Sequence, residues 1–215
     1  MMNNQEQINK FITRQRVNLD IGFRCTLECP KCSRQKDFKN IRPVPGHDMT
    51  IDEFTKIVDF FPEVTMCGQI SDPIFNPNFP EFVRMCAKRN TYLSVNTAAS
   101  HKPMKWYDSV SDDFKKGDII FGIDGLPKDS NKYRINQDGE KLFEVAKMFA
   151  NKGITTKWQY IIFRYNENDI EEAKNMALDN GIIFELNRSS RWDKDDPYKP
   201  LNPDNWLDRD KINEI

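Results

Sequence analysis

Val17-Asn18-Leu19-Asp20-Ile21-Gly22-Phe23 runs without a break into Arg24-Cys25-Thr26-Leu27-Glu28-Cys29-Pro30-Lys31-Cys32. The first seven residues set apolar side chains at alternate positions, the period of a half-buried strand. The loop that follows packs three cysteines into eight residues with the spacing Cys-x3-Cys-x2-Cys. A strand that delivers three soft sulfur ligands at its carboxyl end sets the frame for the rest of the chain.

Downstream, short apolar runs alternate with helical periodicity. Thr50 can cap a helix, with Glu53 three residues on as in a capping box, and Ile51, Phe54, Ile57, Val58 and Phe61 form its apolar face. Val64 to Gly68 reads as a second strand. A helix over Pro80 to Arg89 carries Phe82, Val83, Cys86 and Ala87 on one side. Tyr92 to Thr97 and Asp118 to Asp124 are the third and fourth strands. Leu142, Val145, Ala146 and Phe149 mark a helix that Gly153 ends. Thr156 to Phe163 is a fifth strand, a helix from near Asn168 stops at Gly181, and Ile182 to Leu186 is a sixth strand. Residues 1–15 read as an N-terminal extension, 16–191 as the core, and 192–215 as an irregular or loosely docked tail.

Strands alternating with helices imply an α/β domain with a parallel sheet, curled by right-handed crossovers into a barrel or an open doubly wound sheet. In either case the chemistry collects beyond the carboxyl ends of the strands. Polar residues stand at those places: the cysteines, then Ser71-Asp72, Asn96-Thr97, Asp124-Gly125, Arg164 with Asn166 and Glu167, and Asn187-Arg188-Ser189.

Composition narrows the function classes. The 215 residues make one large domain or two small ones, and an apolar fraction of 38% fills a core. The 32 Lys+Arg and 33 Asp+Glu nearly cancel, so no global field recruits long nucleic acid or anionic lipid. No apolar run approaches the roughly 20 residues of a membrane span. Met1 to Lys10 is polar, without the apolar stretch of a secretory signal, and a cytoplasmic protein is expected. Three clustered cysteines of five suit a metal site in a reducing compartment better than a disulfide framework.

Thiolates suit iron–sulfur clusters and zinc alike. Structural zinc takes four ligands, and His47 is the one candidate for the fourth; an electron-transfer cluster would need Cys67. Three ligands alone leave one iron of a cubane open. Cys67 and Cys86 otherwise read as small buried hydrophobes, and Trp106, Trp158 and Trp192 as packing residues. Asp72 and Asp124 suit turns, while Arg134, Arg188 and Arg191 suit a solvated surface.

The cysteine loop resembles that of the radical S-adenosylmethionine (SAM) superfamily. The likeness extends to Ile70-Ser71-Asp72-Pro73 in the place of Gly-Gly-Glu-Pro, to Gly122-Ile123-Asp124-Gly125-Leu126 with Tyr133-Arg134 beyond it, and to Trp158 through Glu172. These last stretches are similar to the SPASM-related group. The resemblance covers residues 16–192 and implies a partial (β/α)6 TIM-like barrel of parallel strands.

It implies further that Cys25, Cys29 and Cys32 hold a 4Fe–4S cluster whose open iron binds SAM. Reductive cleavage of SAM would then yield a 5′-deoxyadenosyl radical that takes hydrogen from a substrate. Asp72 would receive the SAM ammonium. Ser71, Ser94, Asn96 and Thr97 would contact SAM, and Asp124, Arg134, Gln159, Arg188 and Arg191 would form the inner rim. A small electron donor of flavodoxin or ferredoxin type and a peptide or small-molecule substrate are the implied partners.

Four departures stand out: Lys31 where an aromatic is common, Asp72 one methylene shorter than Glu, Ser71 for glycine, and Ala98-Ala99 for Asn-Gly. The cysteine-rich C-terminal domain of SPASM proteins has no counterpart in the cysteine-free tail, which suggests a minimal core. A non-catalytic iron–sulfur or zinc-binding partner subunit is the alternative reading.

Overall fold

The computed structural model describes residues 16–208; the N-terminal extension lies outside the described residues. Six strands, β1 (Arg16–Leu19), β2 (Glu63–Met66), β3 (Tyr92–Thr97), β4 (Gly117–Gly122), β5 (Thr155–Ile161) and β6 (Ile183–Asn187), form one parallel sheet in chain order. Among the described residues β1 and β6 are not paired, so the sheet stays open. The alternation of strands and helices predicts the parallel sheet, and the resemblance implies this partial (β/α)6 barrel.

The helices are α1 (Ser33–Lys39), α2 (Ile51–Val58), α3 (Phe79–Arg89), α4 (Met104–Asp113), α5 (Gly139–Asn151) and α6 (Ile170–Asp179). Helices α2 to α6 cover one face of the sheet, and the period-2 alternation sorts the strand residues between the two faces. Val64, Met66, Leu93, Val95, Ile119, Phe121, Trp158 and Tyr160 are buried in one core cluster with Phe54, Phe82, Tyr107, Val145 and Phe149 of the helices. The parallel register places Thr65 beside Ser94, Ser94 beside Asp118, Asn96 beside Ile120, and Gly122 beside Gln159. The face away from the helices is therefore polar. On it Lys157 bridges Asp118 and Glu185 at 3.0 and 3.1 Å.

Local signals fix several boundaries. Thr50 accepts the Glu53 N–H, while the Glu53 carboxylate takes the Thr50 N–H at 2.8 Å, closing the expected capping box of α2. The Thr50 N–H and hydroxyl, together with His47, hold the Glu53 carboxyl down at about 2. A depressed carboxyl contributes stability above its unfolded value of 4.5 and loses it as pH falls toward 2. Titration of Glu53 followed by NMR should therefore give a midpoint well below 4.5, moving up toward that value in the Thr50→Ala variant.

Within the tail, residues 192–207 are docked rather than loose. Trp192 packs on Phe163 and Asp196 is buried. The Arg164 N–H donates to Tyr198 O, the Glu167 carboxylate accepts the N–H groups of Leu201 and Asn202, and Leu207 N–H donates to Ser189 O. Residues 192–207 thus form a cap beside the carboxyl ends of β5 and β6. Its irregular backbone is satisfied by side chains rather than by a ladder, which is why periodicity misses it.

Candidate active site at the carboxyl ends of the strands

The cysteine loop is anchored at both ends. Arg24 ion-pairs with Asp48 at 2.5 Å and donates to Phe75 O at 2.9 Å, and the Arg24 carbonyl accepts the Asp72 N–H. Asn76, buried, donates to Ile21 O and Met49 O, tying the end of β1 to the segment before α2. On the far side Lys31 reaches Asp193 and the buried Asp196 at 2.6 and 2.5 Å. An aromatic at this position could not make that clamp.

Cys25, Cys29 and Cys32 are free thiols, and all three line a cavity of about 190 Å³ with Ser71, Asp72, Asn96, Thr97, Arg134 and Gln159. An adjoining cleft of about 460 Å³ shares Cys29, Cys32, Arg134 and Gln159 with it and continues to Phe163, Arg188 and Arg191. Ser94 lines neither; it lies one pleat deeper on the polar face, beside Thr65 and Asp118. The structure therefore gathers Ser71, Asp72, Asn96, Thr97, Arg134 and Gln159 around the cysteines. It leaves Ser94 below them and sets Arg188 and Arg191 in the outer cleft.

Asp72 is buried and heavily bonded. Thr97 Oγ1 donates to it at 2.8 Å, and the N–H groups of Ala98 and Ala99 follow at 2.8 and 3.0 Å. Burial pushes its carboxyl up, and these donors pull against that. Asp72 therefore joins the turn after β2 to the end of β3. Ser71 donates to Asp20, a residue that its place inside an alternating strand pattern had hidden. Gly68 lies at φ +58°, where an added Cβ would come within 2.9 Å of Ser71 O, so glycine is needed for this turn.

Asp124 is fully buried, not a surface turn residue. One oxygen accepts the Ile161 N–H, and the other pairs with Arg134 Nε at 2.8 Å. Burial raises the Asp124 carboxyl, with Arg134 and the Ile161 N–H opposing. Burial also works against the Arg134 charge, but Asp124 and Cys29 more than offset it and hold Arg134 above its ordinary value. The Arg134 guanidinium lies against Gly122, where a Cβ would sit 2.7 Å from Nη2. Gly122→Ala is thus expected to push the guanidinium off Asp124 and to lower the urea midpoint. Gly125 and Gly153 carry no comparable contact with a charged group.

Gln137, unsuspected in the sequence, donates to Ala98 O and Gly122 O at 2.6 and 2.9 Å and fixes the ends of β3 and β4. Cys67 does not behave as a core residue. It is half-buried, lines both spaces, and donates to Leu19 O at 3.4 Å; Cys86 is buried as expected. His47 is exposed and bonded to Glu53 at 3.0 Å, and it does not line the cavity.

The donor set fits an iron–sulfur cluster. Three free thiols from one loop face one cavity, and the Leu27 N–H donates to Cys25 Sγ at 3.4 Å. Burial pushes the Cys25 thiol up to about 12 and Cys29 up to about 11, the latter with Arg134 pulling it down. Sulfurs in such a place become thiolates when bound metal supplies the compensating positive charge. Among the described residues no three His, Cys, Asp or Glu side chains are grouped to hold a single metal ion. A cluster whose irons each take one sulfur does not require that convergence.

The fold is that of the radical SAM enzymes. SuiB of Streptococcus suis, solved bound to S-adenosylmethionine, matches 87% of this chain and 43% of its own, with a TM-score of 0.66 and 12% identity. An anSMEcpe structure with bound AdoMet matches 80% of this chain and 51% of its own at a TM-score of 0.59 and 14% identity. Methylornithine synthase (PylB) matches 80% and 52% at 0.59 and 12% identity. The chain thus spans about half the length of these structures. A cofactor-modifying protein of the tungsten-containing aldehyde ferredoxin oxidoreductase from Pyrococcus furiosus is 37% identical over 84 residues, which are 37% of this chain and 22% of the relative. No family model matches the sequence.

Proposed function

We propose that this chain is a radical SAM enzyme acting on a peptide or protein side chain. In this reading Cys25, Cys29 and Cys32 hold a 4Fe–4S cluster, and SAM lies beside it at the carboxyl ends of β2 to β5. The observation that carries the proposal is the meeting of the three free thiols with Asp72, Asn96, Thr97, Arg134 and Gln159 around one cavity. When bound, the cluster supplies the electron that cleaves SAM to the 5′-deoxyadenosyl radical.

The chain's own contribution is placement and exclusion of side reactions. Arg134, fixed by Asp124, offers a charge for the carboxylate of SAM or of a substrate. Asn96 and Gln159 offer amides from the polar face of the sheet, and Asp72 shapes the wall between β2 and β3. Tyr133, Ile161 and Phe163 give the outer cleft an apolar side that keeps water from a reactive carbon, facing Arg188 and Arg191.

The peptide assignment is supported by the neighbours: SuiB was solved with its precursor peptide SuiA, and anSMEcpe with the Cp18Cys peptide. The Pyrococcus similarity favours a small cofactor-like molecule as the second reading. No helix among the described residues is long and apolar enough to cross a membrane, and the five free thiols suit the reducing cytoplasm.

The test is anaerobic reconstitution with iron and sulfide, reduction by dithionite, and assay of 5′-deoxyadenosine with SAM present. Deoxyadenosine, and an EPR spectrum of the reduced cluster that changes on adding SAM, are expected. Stoichiometric zinc uptake, or a cluster blind to SAM, would overturn the proposal.

A further inference from the structure

The surface just outside the cysteine loop is unlike the rest of the molecule. Between Lys31 and Arg42 stand Lys31, Arg34, Lys36, Lys39 and Arg42 against the single acid Asp37, in a chain whose charges nearly balance. Lys31 is taken by Asp193 and Asp196, and Arg34 lies over the Phe38 ring. Lys36, Lys39 and Arg42 are exposed and, among the described residues, form no ion pair.

Two large apolar side chains stand among these bases: Phe38 is 55% exposed and Ile41 95% exposed. Ile41 also sits at φ +53°, a backbone region that β-branched residues avoid, at the end of α1 where glycine would be the unstrained choice. Helix α1 buries none of its residues, so its own packing does not account for its apolar side chains. Cys32 is its N-cap, and a depression of about 600 Å³ runs from Cys32 and Gln69 out to Lys36, Lys39 and Arg191.

From these features we infer that α1 and the turn after it, residues 33–42, are the docking surface for a small acidic electron carrier of the flavodoxin type. The inference rests on the three-cysteine cluster proposed above and names the side from which its electron arrives. The exposed bases steer a carboxylate-ringed partner, and Phe38 and Ile41 give the encounter an apolar centre. Cys32 then lies on the shortest covalent path from the partner's surface to the cluster. One electron leaves the flavin hydroquinone anion, which is oxidised without releasing a proton, and the cluster is reduced by that one electron.

The test compares the reconstituted protein with the Lys36→Glu/Lys39→Glu/Arg42→Glu variant, using reduced flavodoxin as the probe. Carbodiimide cross-linking followed by peptide mapping should join flavodoxin carboxylates to Lys36 and Lys39, and salt should suppress the adducts. The charge-reversed protein should cleave SAM with dithionite at the original rate but lose about tenfold or more of its flavodoxin-driven rate. Cross-links that map elsewhere, or a flavodoxin-driven rate that survives the reversal, would overturn the inference. If dithionite yields no deoxyadenosine in either protein, the radical SAM reading fails instead, while the cross-link map still reports on docking.

Discussion

Replacing Cys32 by alanine is expected to remove both the visible absorbance of the reconstituted cluster and the formation of 5′-deoxyadenosine. Cys32 stands at the junction of the cysteine loop and α1, half-buried, with its sulfur toward the shared cavity. Its loss takes away one of three ligands, so the effect should exceed the roughly 10–100-fold that follows loss of an outer-shell partner. Stability is a separate matter. A half-buried thiol with no disulfide contributes little to the core, so the unfolding midpoint should move by less than about 1 kcal/mol.

Cys25→Ala and Cys29→Ala should behave alike. Cys67→Ala is the informative comparison, because Cys67 lines the same cavity from the end of β2. It should keep absorbance and SAM cleavage. Loss of the cluster in Cys67→Ala, with retention in Cys32→Ala, would reassign the ligands.

The second large effect concerns Asp124 and Arg134. Asp124→Asn should destabilise the domain by about 3–5 kcal/mol in urea, because it leaves a buried guanidinium without its counter-charge. The side chains of Arg134 and Asp124 are only 14% and 0% exposed, so solvent cannot substitute for the missing partner. Arg134→Met leaves the carboxylate alone in the same place and should cost a similar amount. The double variant should recover part of the loss, since two apolar-sized neutral groups bury more easily than one orphaned charge. Single variants that each cost under about 1 kcal/mol would mean that the pair is hydrated in solution.

Much of this was legible in the sequence for identifiable reasons. The capping box at Thr50 and Glu53 is local chemistry and appears where it was read. Strand positions followed from alternation, with most ends displaced by one or two residues, as where Val64 to Gly68 became Glu63–Met66 and Asp118 to Asp124 became Gly117–Gly122. The first strand, read as Val17 to Phe23, ends four residues earlier at Leu19. Helices α1 and α4 were missed because neither announces a face. Ser33–Lys39 buries nothing, and Met104–Asp113 carries its buried Tyr107 and Val110 among serines and aspartates.

The alternation of strands and helices pointed to the carboxyl end of the sheet, where the cavity lies, but not to which residues line it. Asn96 and Gln159 come from within β3 and β5, while Arg164 and Glu167 after β5 bind the cap instead. Ser94 lies one pleat below the cavity, since the alternation that puts Asn96 at the cavity puts Ser94 on the same face but deeper. Asp20 and Gln137 gave no signal because their roles depend on contacts from distant segments, and Cys67 was legible only as a possible fourth cluster ligand or a buried small hydrophobe. The docked cap failed for the same reason, as its order comes from Trp192, Asp196 and Glu167 rather than from any period.

The clamp between Lys31 and Asp193 has a consequence in time. These residues lie 162 positions apart in the chain. At about 5–20 residues per second, the ribosome needs roughly 10–30 s to make the second after the first. Through that interval the cysteine loop can gain its bonds from Glu28 N–H to Ile135 O and from Asn136 to Thr26 O, but not the ion pairs with the tail. The latch of Lys31 onto Asp193 and Asp196 is thus among the last of the loop's described contacts to be made during synthesis.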